Sequence, residues 1–356
     1  MYRAPQRGKP INGSPASGLC DEGRPVCRNC VRQASECVYG ETPRSSAASP
    51  SRGSAPTHDG TYDGLDLFLM HRFATVTATG LFPSTAAGHV WQNVIPTQAQ
   101  NEPLLMHGLL ALSGMDLAQF DGEMRGTYRT RALHHQQIGL TIFQEMLAQD
   151  SAAQIHTIFP FSLMLIILAY ASVHSENVEW SVDAILDLFA LYRGPRMLAM
   201  SNWKAIAGSE MLALLRPGNT AKEADGPSEP VQAALRQLQG YPSDEISRTA
   251  VQLLADAIEI SASSFDMRVI GRWPSMLSEE FFARLREHQP EALVILSYYS
   301  IALAAFRDRW WVGSWDKKLV SAVARDLPEE KQKEYGWHAD ALELVLDRHA
   351  SASQRL

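Results

Sequence analysis

From Leu65 onward apolar residues recur at helical spacing, and that periodicity restricts the fold most. Leu65, Phe68, Leu69, Phe73 and Val76 share one stripe, and Leu105, Leu109, Leu112 and Met115 repeat the pattern within 104–120. Pro103 stands where a proline opens a helix, because the first turn has no intrahelical use for its missing N–H. The spacing predicts further helices over 125–148, 157–173, 179–192, 203–215, 230–239, 244–264, 277–287, 290–308, 314–325 and 334–349. No run of alternating β-branched residues bounded by turns occurs, and no fixed-period repeat. The expected fold class is therefore all-α over 65–350. The most apolar stretch, 158–173, contains Pro160 and Ser162, ends at His174 and falls short of the roughly 20 residues a membrane span needs; it is expected to be a buried helix.

The first 64 residues have another texture. Residues 40–64 are dense in Ser, Pro, Gly and Thr and hold too little apolar surface to offset the entropy of ordering, which is linker composition. Ahead of them all four cysteines lie within 18 residues, as Cys20-x6-Cys27-x2-Cys30-x6-Cys37. Residues 1–19 carry Arg3, Arg7 and Lys9 but no apolar run behind them, so no secretory signal is read and the chain is expected to stay inside the cell. Reducing conditions there favour a thiolate metal site over disulfides, and zinc suits four soft thiolates. The competing reading is four unrelated cysteines, or a redox pair at Cys27 and Cys30, but the βαβ pattern such a pair accompanies is absent. Residues 1–60 carry a net charge of +3 against −10 for the remainder, the asymmetry expected if only the head approaches a polyanion. The expected organisation is a disordered N-terminus (1–19), a small zinc module (20–39), a flexible linker (40–64) and a helical body (65–350).

The run from Cys20 through Asp21, Glu22, Gly23, Arg24, Pro25 and Val26 to Cys27, then Cys30 and Cys37, resembles the second half of the fungal six-cysteine binuclear zinc cluster. The resemblance implies that Cys20 is the third ligand, Cys27 the fourth and bridging one, Cys30 the fifth and Cys37 the sixth. It also implies a nuclear transcription regulator that binds CGG-type DNA sites. The family's opening Cys-x2-Cys with its basic run, which supplies the base-reading helix, has no counterpart in residues 1–19. Two expectations follow. Cys20, Cys27, Cys30 and Cys37 close a single tetrahedral zinc site, and Arg24, Arg28 and Arg32 contact DNA phosphates or are solvated charges. The alternatives for the protein as a whole are a zinc-cluster regulator of metabolic or secondary-metabolite genes, or a helical co-regulator that no longer reads DNA and acts beside an intact relative.

The body carries a second resemblance, in His89 to Pro96, Pro103 to Leu112, Tyr192-Arg193-Gly194-Pro195, Arg272-Trp273-Pro274, and Pro290 to Leu296 leading to Trp310-Trp311. These segments look like the regulatory domain of fungal regulators typified by the sterol uptake control proteins. The resemblance implies a helical domain that, in some members, dimerises and binds a lipid- or sterol-like ligand. Tyr298, Tyr299, Phe306, Trp310 and Trp311 concentrate aromatic mass on and after one predicted helix; they line an apolar pocket or are simply core. No residues call for an enzyme. His134 and His135 are helical neighbours that point about 100° apart, and no His-Glu-x2-His, G-x-S-x-G, P-loop or dinucleotide turn is present. Glu279-Glu280 and Glu329-Glu330 read as solvated helix starts, and Arg307 and Arg309 as partners in weak surface ion pairs.

Overall fold

The computed structural model describes residues 62–81, 86–120, 122–149, 154–174, 180–215, 227–263 and 268–353, so the expected zinc ligands, phosphate-contacting arginines and linker lie outside the described residues. Backbone contacts divide the chain at Gly60, and every described residue belongs to the second unit, Thr61–Leu356. That unit is all-α, with no strand among the described residues.

It opens with α1 (Gly64–Arg72), which runs through a π-helical turn (Phe73–Thr77) into Ala78–Leu81. Asp63 caps it with a capping box: its carboxylate accepts from the N–H of Leu65 and Asp66, while Asp66 reaches back to the N–H of Asp63. A second interrupted element, α2 (Ala86–His89), continues through Val90–Val94 to Ile95–Gln98. Then come α3 (Pro103–Phe120), α4 (Arg125–Ala148) and α5 (Ile155–His174).

Helix α3 is apolar all round and accordingly buried all round. Helix α4 lies over it as an outer layer, burying only Ala132, His135 and Gly139. Gly108 of α3 and Gly139 of α4 leave the space that the Phe161 ring of α5 occupies; a Cβ at Gly139 would stand 2.7 Å from that ring. Helix α5 is long and apolar enough to cross a membrane by length and composition, yet most of it is buried inside the body, as the core helix of a helical layer is. Its start at Ile155 places Pro160 two residues further into the helix than the expected start at 157 does.

The second half follows as α6 (Val182–Leu191), α7 (Arg193–Ser201), the one-turn α8 (Trp203–Ala207), a 3₁₀ turn (Glu210–Leu214), α9 (Glu229–Leu238), α10 (Glu245–Ser263), α11 (Arg268–Met276), α12 (Glu279–Arg286), α13 (Pro290–Ala304), α14 (Trp315–Asp326), α15 (Glu329–Tyr335) and α16 (Ala339–Ser353). Central α13 is buried continuously from Ala292 to Ala304 and is packed by α10, α14 and α16.

The periodicity did not reveal α2, α7, α11 or α15. Gly194-Pro195 reads as a turn but occupies the first turn of α7, where proline costs no hydrogen bond. Pro274 lies inside α11 and deprives the Ile270 carbonyl of its helical donor; the Tyr299 hydroxyl donates to that carbonyl instead, at 2.7 Å. The expected helix over 290–308 stops at Ala304, and turns carry the chain to Ser314. The acidic pairs do begin helices, with Ser278 capping α12 by accepting from the N–H of Phe281.

Arg307 departs from the weak surface pair expected of it. It donates from Nε to the fully buried carboxylate of Asp316, at 2.9 Å, and pairs with Asp347 at 2.8 Å. Removing one member of a pair with a buried charge costs about 3–5 kcal/mol, far more than an exposed pair contributes.

Candidate functional site

Five segments that are far apart in sequence meet around one cavity of about 510 Å³. Trp91 comes from the π-helical turn after α2; Phe159, Leu163, Ile166 and Ile167 come from one stripe of α5. Tyr192, Pro195, Ala199 and Met200 come from the α6–α7 junction and α7, and Trp203 from α8. Leu214 ends the 3₁₀ turn and Leu215 follows it, while Ile260 of α10, Gly271, Arg272 and Met276 of α11 and Trp311 close the opposite side. Trp91, Phe159, Ile166, Ile167, Leu214, Val269 and Trp311 are buried and make the floor. Arg196, Met200, Trp203, Arg272 and Met276 are the exposed lining residues and therefore form the rim. A concave, chiefly apolar cavity with a few polar groups is the usual form of a small-molecule site, and 510 Å³ lies within the range of ~300–1,000 Å³ that such sites occupy.

Behind the floor stands a filled aromatic wall. The Tyr170 ring meets Trp311 edge-on at 5.4 Å and Tyr192 at 6.2 Å, so it backs two residues that face the cavity. On its far side Tyr170 packs on Trp315 at 4.6 Å; further in, Tyr299 stacks on Trp273 at 5.3 Å and meets Phe189 edge-on at 5.2 Å. Two of the buried indoles are tethered, Trp273 Nε1 donating to the Ala250 carbonyl at 2.8 Å and Trp315 Nε1 to the Tyr170 carbonyl at 3.2 Å. Burial raises the phenol pKa of Tyr170, Tyr192 and Tyr299, so all three stay neutral at physiological pH. Gly271 makes the junction possible: a Cβ there would sit 2.6 Å from the Tyr192 ring.

Of the five aromatic residues read as pocket lining or core, Tyr298, Tyr299, Phe306 and Trp310 lie on the filled side or beside it. Tyr298 is buried with its hydroxyl 3.1 Å from that of Tyr241, and Tyr299 and Phe306 are buried in the core. Trp310 is partly buried against the same core, whereas its neighbour Trp311 lines the cavity. Extending the helical phase past Ala304 could not separate adjacent indoles in a turn. The resembling segments pointed better: those around Trp91, Tyr192–Pro195, Arg272 and Trp311 each contribute to the lining.

A second polar cluster ties the start of the body down. His135 Nε2 lies 2.9 Å from the Asp66 carboxylate and its Nδ1 lies 2.9 Å from His107 Nδ1. The two Nδ1 atoms need one proton between them, which neutral rings supply when His135 gives its Nε2 proton to Asp66 and accepts from His107. Burial lowers the His135 pKa, outweighing the pull of Asp66, in keeping with a neutral ring. Arg131 pairs with both Asp63 and Asp66. His134, as expected of its neighbour on a helix, points outward. The cluster joins α1, α3 and α4 and does not line the cavity. Among the described residues no group of His, Cys, Asp and Glu could hold a metal ion.

Residues 68–214 match the family described as Fungal specific transcription factor domain. That stretch supplies the Trp91, α5 and α7 walls of the cavity, and the α10–α11 wall lies beyond it. The chain is also 26% identical over 197 residues to the "Zn(2)-C6 fungal-type transcription factor afumD" of Aspergillus fumigatus. The similarity covers 49% of this chain and 49% of that relative, so the chain matches about half the length of that protein. These are transcription factors and not enzymes, in line with a body in which the sequence offers no catalytic motif. Together the two matches support a kinship with fungal transcription regulators, carried by the helical body that holds the cavity.

Proposed function

We propose that the chain is a fungal transcription regulator of the zinc-cluster type, controlling metabolic or secondary-metabolite genes from the nucleus, and that its helical body responds to a hydrophobic small molecule held in the cavity. The observation that carries the reading is the apolar cavity itself, walled in large part by the segment that matches the transcription factor domain. The donor set Cys20, Cys27, Cys30 and Cys37 fits zinc, being four soft thiolates, the number a tetrahedral structural zinc site takes, and bound zinc would supply folding free energy to the head. Arg24, Arg28 and Arg32 would contribute phosphate contacts, which give affinity without sequence information. Dimerisation, with itself or with a relative whose cysteine motif is complete, would supply the base readout that residues 20–39 do not.

The test is a titration of the full chain with the neutral solvatochromic dye Nile red. Saturable emission enhancement with one site per chain is expected, and Leu163→Trp, which fills the cavity from α5, is expected to abolish it while leaving helical circular dichroism unchanged. Enhancement that never saturates, or that is indifferent to Leu163→Trp, would remove the cavity from the proposal. Metal content by mass spectrometry tests the head separately: one zinc per chain is expected, and two or none would contradict a single four-thiolate site.

A further inference from the structure

Two features of the cavity rim concern what kind of hydrophobic molecule would fit. The first is charge. Among the described residues, Arg196 and Arg272 are the charged members of the lining, both positive and on two different helices, and no carboxylate lines the cavity. The second is their lack of partners. Arg193, one turn before Arg196 on α7, pairs with Glu279 at 2.6 Å and lies over the Phe282 ring; Arg286 pairs with Asp187, Arg284 with Asp244 and Arg307 with Asp316. Neither Arg196 nor Arg272 has an ion-pair partner among the described residues. In a body with a net negative charge beyond residue 60, two unpaired arginines at the mouth of one apolar cavity are the local exception.

The remaining rim residues, Met200, Trp203 and Met276, are large, apolar and exposed to 65%, 51% and 42%. An apolar rim and floor with guanidinium groups at the edge has the polarity of an amphiphile turned inside out. An aliphatic or polycyclic tail would cover the exposed rim and enter the cavity, and an anionic head would remain at the surface. Guanidinium groups present planar pairs of N–H donors matched to carboxylate or phosphate oxygens. Their exposure keeps an empty site from burying an unpaired charge.

We propose that the cavity takes an anionic amphiphile, a carboxylate on an apolar body, with Arg196 and Arg272 holding the head. This rests on the reading of the cavity as a ligand site and adds the ligand's charge and orientation. The experiment is Nile red displacement from the full chain by dodecanoate and by dodecanol, on the wild type, Arg196→Gln, Arg272→Gln and the double variant. Both side chains are exposed, so glutamine is expected to leave the fold intact.

Dodecanoate is expected to displace the dye at a concentration roughly tenfold or more below that of dodecanol, as a charged hydrogen bond to the head implies. That preference should shrink with added salt and reach near parity in the double variant, with dye affinity retained. Parity in the wild type would overturn the anionic proposal while leaving the cavity a hydrophobic site. A preference that survives in the double variant would overturn the assignment to these arginines. Absence of saturable dye binding in the wild type would instead bring down the ligand reading beneath both.

Discussion

The two faces of the wall formed by Tyr170, Tyr192 and Trp311 are made of the same kinds of residue and do opposite things. On one face Trp273, Trp315, Tyr299 and Phe189 interlock ring on ring, with indole and phenol protons satisfied by carbonyls. On the other, Trp91, Phe159, Ile166 and Ile167 border a space that no side chain of the described residues fills. The filled face holds the fold together, and the open face is where a ligand could gain from burial what the protein has left unburied. Aromatic composition does not distinguish them; the separation comes from which helix ends and turns abut the wall.

The largest consequence belongs to the filled face. Trp273→Ala removes a fully buried indole and its tether to Ala250 and should cost about 3–5 kcal/mol in chemical denaturation, whereas a comparable loss from Trp203→Ala on the rim would erase the distinction. The phenols come next. Folded pKa values raised above the ordinary value near 10 give stability that is complete below pH 10 and is lost as pH rises beyond it, by up to roughly 1.4 kcal/mol per phenol per pH unit. Ultraviolet titration should therefore show Tyr170, Tyr192 and Tyr299 ionising only as the chain unfolds; reversible ionisation of Tyr192 in the folded chain would mean that the open face wets it as bulk water does.

A smaller effect is expected at the seam. Gly271→Ala pushes on the Tyr192 ring and should cost about 1–3 kcal/mol while weakening Nile red binding, because Tyr192 belongs to both faces. Smallest of all, Met200→Ser on the rim should change stability by no more than about 0.5 kcal/mol yet reduce affinity for apolar ligands.

How far the sequence foretold this differs between fold and site for a physical reason. Helices with a clear stripe or a continuous apolar surface, such as α3, α4 and α13, could be read from their spacing because the core they face is large. Helices α7 and α11, which carry the two rim arginines, could not, because Pro195 and Pro274 look like breaks until one sees a first turn that needs no N–H and a tyrosine that serves the orphaned carbonyl. From composition the cavity was legible as aromatic richness near Trp310-Trp311, and helical phase could not tell which of the two indoles lines it, because both lie in turns beyond Ala304. His135 shows the reverse: adjacency on a helix correctly separated it from His134, but its partners Asp66 and His107 lie 69 and 28 residues away and leave no local signal.

The central claim is that the open face is a ligand site of the native helical body, and thermal unfolding of the full chain with increasing dodecanoate tests it most directly. A ligand that binds only the folded chain adds about 2.7 kcal/mol at a hundred times its dissociation constant, which for a body of this size predicts a rise in Tm of roughly 5–10 °C, abolished by Leu163→Trp. A Tm that stays constant up to the solubility limit, or that rises equally in Leu163→Trp, would contradict the claim.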